Sequence, residues 1–203
     1  MDSVILQGGG EHAKVVLDCL LAQGISVKAI FDPKHSDSLL GIQCRGEYDP
    51  EFATNSRAII AIGDNRLRKS VAEATNHEFA NAIHPSAIIS SFTSLGQGCM
   101  ILHGVIIQIH AQIGNHVILN TGARIDHDCQ VEDFVHIAPG AVLCGRVKVG
   151  VGALIGAGSV VLPGVKIGAW STVGAGSVVT RNVEEGDVVF GNPARTSKHL
   201  RNE

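Results

Sequence analysis

From Ile83 to Val179 an aliphatic residue returns at every sixth position, seventeen times without a break. Ile83, Ile89, Leu95 and Ile101 begin the series; Ile167, Val173 and Val179 end it. Four places after most of these stands a second small or apolar residue, among them Ala87, Cys99, Val105, Val117, Cys129, Val135 and Ala141. In a chain that is 45% hydrophobic, seventeen in-register matches are not chance. A period of six with two inward positions fits neither the 3.6 of an α-helix nor the alternation of a lone strand. It is the hexapeptide pattern of a parallel β-helix.

Three hexads make one coil, so the run predicts a little over five coils. At ~4.8 Å per coil the column is roughly 25 Å tall. Glycines that directly follow the aliphatic position (Gly96, Gly114, Gly150, Gly156, Gly168 and Gly174) are expected at the corners, where positive φ suits glycine. No long insertion interrupts the register. A single prism leaves flat apolar faces exposed, and a closed homotrimer of such prisms is the natural remedy for a three-sided cross-section.

The first 80 residues read differently. Apolar runs at Ser3–Gln7, Val27–Phe31 and Arg57–Ile62 alternate with helical patterns, one after His12 and one over Arg66–Thr75. This predicts a short parallel, Rossmann-like βαβαβ sheet, with ligands at the carboxyl ends of its strands. Each such end carries glycine or acid: Gly8-Gly9-Gly10, Asp32, and Gly63-Asp64. Gly8-x-Gly10-x-x-Ala13 is a partial dinucleotide fingerprint, with Asp32 placed to hold a ribose hydroxyl. A full dinucleotide site is disfavoured, because under ~80 residues leave only half a doubly wound sheet. Two units follow: an α/β unit over 1–80 and a β-helix over 81–203 with a short tail.

Composition narrows the partners. Sixteen basic and 19 acidic residues give a net charge of −3, with no basic run or basic helix, which argues against nucleic acid and anionic membrane. The start lacks a leader pattern and no apolar stretch reaches membrane-spanning length. Five cysteines without paired spacing point to a reduced, cytoplasmic setting.

Of ten histidines, several lie in the prism, among them His103, His110, His116, His127 and His136. Outward histidines there are ordinarily solvated surface. His127 and His136 are half a coil apart, on opposite sides of one prism, so they share a site only across a subunit boundary. His127 stands between Asp126 and Asp128, which can fix its tautomer and make it more basic, as a general base requires.

These features together resemble a family. The prism after a small α/β unit, Gly8-Gly9-Gly10-Glu11-His12, Ile62-Gly63-Asp64-Asn65, Asp126-His127-Asp128-Cys129 and Gly191-Asn192-Pro193-Ala194 resemble the bacterial nucleotide-amino-sugar acetyltransferases. These are left-handed β-helix enzymes of the NeuD-like group, and the closest pattern is that of the PglD-type UDP-4-amino-sugar N-acetyltransferases. The resemblance implies acetyl-CoA and a nucleotide-linked 4-amino-6-deoxy sugar as substrates, and no metal. It implies His127 as catalytic base with Asp128, a glutamate in most of the family, raising its basicity. His136, Ala157 and Ala175 match acetyl-CoA contacts. Gly10, Glu11, His12, Asp32, Pro33 and Gly63 match nucleotide-sugar contacts, Pro33 standing where a second aspartate is common. One coil beyond His127, an N–H in the Cys144-Gly145 turn is positioned to donate to an oxyanion. Near the end, Arg195 and Lys198 are candidates for the coenzyme phosphates.

Two other activities are weighed. O-acetylation of a sialic acid or related hydroxyl needs the same base, so only the acceptor pocket separates it from N-acetylation. A zinc lyase resembling the γ-type carbonic anhydrases needs three converging imidazoles. His110 and His116 stand one face apart, and His127 and His136 do not complete a triad with them.

Overall fold

The computed structural model describes residues 3–35 and 37–197. The chain opens with β1 (Ser3–Gln7), α1 (Glu11–Ala22), β2 (Ser26–Phe31), β3 (Cys44–Arg45), β4 (Arg57–Ile60) and α2 (Asn65–Glu73). The four strands form a parallel sheet in the order β3-β2-β1-β4. Buried residues at helical spacing on α1 (Ala13, Val16, Leu17 and Leu20) seat it on the sheet. The crossover from β2 to β4 runs through the two-residue strand β3 and a series of turns. Gly8 takes φ +103°, and a Cβ there would meet Ile62 at 2.7 Å, so the first strand-to-helix turn requires glycine.

Seventeen two-residue strands then follow, from Ala82–Ile83 to Val178–Val179. Ala82 pairs with Met100, Met100 with Ile118, Ile118 with His136, His136 with Leu154 and Leu154 with Thr172, so one coil is eighteen residues. The second residue of each pair points inward. Ile101, Ile107, Leu119, Ile125, Ile137 and Leu143 form one buried column with the second inward set, Cys99, Val105, Val117, Ala123, Cys129 and Val135. Each fully buried aliphatic side chain of this kind contributes about 1.5–3 kcal/mol.

The outward residues give the three faces different characters. One carries Met100, Ile118 and His136 and is covered by the α/β unit, whose α1 residues share a core cluster with Met100 and Ile118. A second, polar face carries Ser94, Gln112, Gln130, Lys148 and Lys166. The third is apolar: Ile88, Ile106, Val142, Val160 and Val178, interrupted by Arg124. Ile88 is 65% exposed.

The glycines after the aliphatic position depart from expectation. Positive φ falls two places later, at Gly98, Gly104, Gly122, Gly140, Gly152, Gly158, Gly164 and Gly176. Gly96, Gly114, Gly150, Gly156, Gly168 and Gly174 are instead required by stacking. A Cβ at Gly96 would lie 2.6 Å from the Gly114 backbone, and one at Gly156 2.5 Å from the Ala175 nitrogen. Coils ~4.8 Å apart leave no room for side chains there.

The left-handed positions line up as three corners. Between the covered and apolar faces every one is glycine, from Gly104 to Gly176. Between the polar and covered faces stand His116, Phe134 and Trp170. Between the apolar and polar faces stand His110, Asp128 and Arg146. A left-handed conformation costs a non-glycine residue roughly 1–2 kcal/mol. The tail turns back as an antiparallel hairpin of Val188–Gly191 and Ala194–Thr196. Among the described residues no helix is long and apolar enough to cross a membrane.

Candidate active site

The carboxyl ends of β1, β2 and β4 enclose a cavity of about 360 Å³. Gly10, Glu11, His12, Asp32, Pro33 and Gly63 all line it, joined by Lys34, His35, Ile62, Leu67 and Val71. All six residues expected to contact the acceptor therefore converge. Asp32 already works within the protein: it accepts the Gly9 N–H at 2.7 Å and the Lys34 N–H at 2.8 Å, and His35 Nδ1 lies 3.1 Å away. Partial burial pushes its carboxyl upward, but these donors outweigh burial and hold it below the usual carboxylate range. The aspartate thus pins the triple-glycine turn while presenting a charged oxygen to the cavity.

His127 sits at the corner between the apolar and polar faces, diagonal to the covered face that carries His136. Its Nδ1 lies 2.7 Å from Asp128 Oδ2, and Asp126 Oδ1 accepts its backbone N–H at 2.8 Å. The two flanking acids therefore do different jobs: Asp128 orients the ring and Asp126 ties down the turn. The hydrogen bond to His127 holds the Asp128 carboxyl below its ordinary value. With Nδ1 donating to this carboxylate, Nε2 is left as the free basic nitrogen. That nitrogen leans over Gly145 on the next coil, where a Cβ would come within 2.6 Å of it. Cys144 N–H is taken by Val161 and Arg146 N–H by the His127 carbonyl, so the Gly145 N–H between them is the donor left over.

His136 lies beneath the α/β unit, its ring 6.1 Å from that of His12 and its Nε2 3.2 Å from Asn120 Nδ2. It thus lies between the strand-end cavity and the glycine corner. Burial, then the nearby Arg68 charge, pulls both His12 and His136 down to about 4, so both are neutral near pH 7. Ala157 and Ala175 stand exposed on the glycine corner, one and two coils beyond the Thr121–Pro139 stretch. Arg195 is exposed on the terminal hairpin; Lys198 lies outside the described residues. Among the described residues no group of three or more histidine, cysteine or acidic side chains is arranged to hold a metal ion.

Comparison with known proteins places this geometry. Residues 3–75 match the model of the PglD N-terminal domain, and residues 146–181 that of the bacterial transferase hexapeptide, six repeats. Perosamine N-acetyltransferase from Caulobacter crescentus, solved with CoA and GDP-perosamine as a variant of one histidine, is 39% identical and superposes with a TM-score of 0.92 over 97% of both chains. The chain belongs to the hexapeptide-repeat family of nucleotide-sugar N-acetyltransferases. Another member, the acetyltransferase domain of PglB from Neisseria gonorrhoeae, solved with acetyl coenzyme A, is 31% identical with a TM-score of 0.90, over 96% of this chain and 98% of that one. The UDP-N-acetylbacillosamine N-acetyltransferase of Bacillus subtilis is 39% identical over 113 residues, 50% of this chain and 52% of that protein. The matched stretch spans about half the length of that relative or less for the other curated relatives.

Within this family member, one residue absent from any sequence reading holds the two halves together. Arg68 of α2 is fully buried. It donates to the carbonyls of His116 at 2.9 Å, Phe134 at 2.7 Å, Ile62 at 3.1 Å and Gly63 at 3.3 Å, and to Asn65 Oδ1 at 2.8 Å. Asn65 in turn donates to the Gly152 and Ala153 carbonyls. Arg66 lies 4.5 Å over the Trp170 ring, and His116 stacks on Phe134 with 5.0 Å between centroids. The aromatic corner is therefore the seat of the α/β unit, which explains why its left-handed positions carry His116, Phe134 and Trp170 in place of glycine. Only Asn65 carried a signal in sequence, through the Gly63-Asp64-Asn65 turn; Asp64 caps α2 by accepting the Leu67 N–H at 2.7 Å.

Proposed function

We propose that the protein transfers the acetyl group of acetyl-CoA to the amine of a nucleotide-linked 4-amino-6-deoxy sugar, in a site shared between subunits of a homotrimer. The observation that carries this reading is the flanking of one exposed apolar face by two half-sites. His127 and Gly145 stand at one edge of it; Asn120, Ala157 and Ala175 stand at the other. Packing the apolar faces around a threefold axis brings the histidine corner of one subunit to the glycine corner of the next. The polar Gln/Lys face is left to solvent.

In this reading the α/β unit, residues 1–80, holds the acceptor. Its cavity takes the nucleotide through Gly10, Glu11, Asp32, Pro33 and Gly63, and His12 and His136 direct the sugar toward the glycine corner. Residues 81–203 supply the coenzyme groove, in which the all-glycine corner lets the pantetheine approach the backbone at Ala157 and Ala175. The neutral amine attacks the thioester carbonyl of acetyl-CoA. His127 Nε2 of the neighbouring subunit takes the proton released by the nitrogen, and the Gly145 N–H donates to the oxyanion. Collapse breaks the C–S bond, and the proton passes from His127 to the departing thiolate. No acyl-enzyme is required. Free cysteines, four buried and one half-buried, suit a reducing cytoplasm.

The test is acetyl-CoA consumption against UDP-4-amino-6-deoxy sugars, GDP-4-amino-6-deoxymannose and free sialic acid. Turnover on one of the nucleotide amines, with none on sialic acid, is the expected result. Turnover on sialic acid alone would overturn the assignment.

A further inference from the structure

The base is flanked unequally along its corner. On one side Gly145 removes every side-chain atom from above Nε2. On the other, one coil below, stands Ile109, held in place by the Asp128 N–H to Ile109 carbonyl bond at 3.2 Å. Ile109 remains 39% exposed although an aliphatic side chain gains by burial, and beyond it Phe92 is 66% exposed. The chain therefore sets an apolar surface ~4.8 Å from its general base, with His110 next to it on the same corner and the Phe92 ring 6.1 Å from that of His110.

We propose that Ile109 is the residue that selects a 6-deoxy acceptor by receiving its C6 methyl group. This rests on the proposed acceptor class and His127 as base. In a 4-amino-6-deoxy hexose the methyl stands on the ring carbon next to the one bearing the amine. When the amine meets Nε2, the methyl is carried to within one side chain of the base, and Ile109 is the aliphatic surface there. A 6-hydroxy sugar would bury its hydroxyl against this surface without a hydrogen-bond partner.

The experiment compares kcat/KM for paired 6-deoxy and 6-hydroxy nucleotide-4-amino sugars in the full-length protein, Ile109→Val and Ile109→Asn. A methyl in an apolar pocket is worth roughly 10–200-fold in such a ratio. Ile109→Val is expected to keep the preference. Ile109→Asn is expected to lose about tenfold or more of it, with KM for acetyl-CoA and the sedimenting mass unchanged. Equal loss on both sugars, leaving the ratio intact, would overturn the proposal. So would dissociation of Ile109→Asn, because the surface would then be part of subunit packing. Failure of the unmodified protein to acetylate either amine would instead overturn the acceptor assignment on which the proposal stands.

Discussion

Replacing Arg68 with alanine is expected to destabilise the protein by roughly 3–5 kcal/mol, the cost of leaving several buried carbonyls without donors together with that of the cavity. Arg68 is fully buried and makes five hydrogen bonds, four of them to carbonyls. Its removal leaves the His116 and Phe134 carbonyls without these donors and opens a cavity between α2 and the aromatic corner. At about 2–4 °C per kcal/mol for a chain of this size, the melting temperature falls by roughly 6–20 °C. Lysine does not rescue it, since one ammonium cannot span a fork of acceptors on both units. Burial pulls the guanidinium down to about 10, so it stays charged at neutral pH. Its charge is the second cause, after burial, that holds His12, His116 and His136 each near 4. These groups therefore titrate higher in Arg68→Met, which proton NMR of the imidazoles can follow. A melting temperature within a degree of the parent's would show that the clamp is dispensable.

Replacing His127 with alanine is expected to lower turnover by roughly 10²–10⁴-fold, the usual contribution of a general base, while acetyl-CoA still binds. The ring is half-exposed and among the described residues makes its side-chain bond only to Asp128, so little stability is at stake. Asp128→Asn should cause a smaller loss, because the ring survives but its tautomer is no longer enforced. Single-turnover mixing of acetyl-CoA and the nucleotide amine, with calorimetry for acetyl-CoA alone, separates loss of chemistry from loss of binding. An alanine variant that turns over near the parent rate would remove His127 from the mechanism.

The prism was legible because its geometry fixes two positions in six: Ile101, Ile107 and Leu119 must face inward as aliphatics, and the second position admits only small or apolar residues, including Ser159, Ser171 and Ser177, whose hydroxyls bond to backbone carbonyls. The cavity at the strand ends was legible for a related reason, since the carboxyl ends of parallel strands carry glycine or acid here, as at Gly10, Asp32 and Gly63. The corner glycines were misread because two demands fall two residues apart. Gly96 answers the close approach of the next coil, whereas Gly98 answers the left-handed backbone. Asp126 and Asp128 flank His127 symmetrically in sequence; only the turn's conformation decides that the second reaches the ring. Arg68 was invisible. On α2 it sits among Arg66 and Lys69 and looks like part of a solvated basic face. Its burial is created by the stretch around His116 and Phe134, which the prism brings to α2 from far along the chain.

The central claim, that base and groove come from different subunits, is tested most directly by mixing two inactive variants. His127→Ala lacks the base; Ala157→Trp keeps it but fills the exposed glycine corner. Each alone should be nearly inactive and each should sediment as a trimer. After the two are unfolded together and refolded in equal amounts, about a quarter of the subunit junctions pair an intact His127 with an open groove, and about a quarter of the parent activity should return. Activity no greater than that of the separate variants, or a monomeric mass at micromolar concentration, would contradict a site built between subunits.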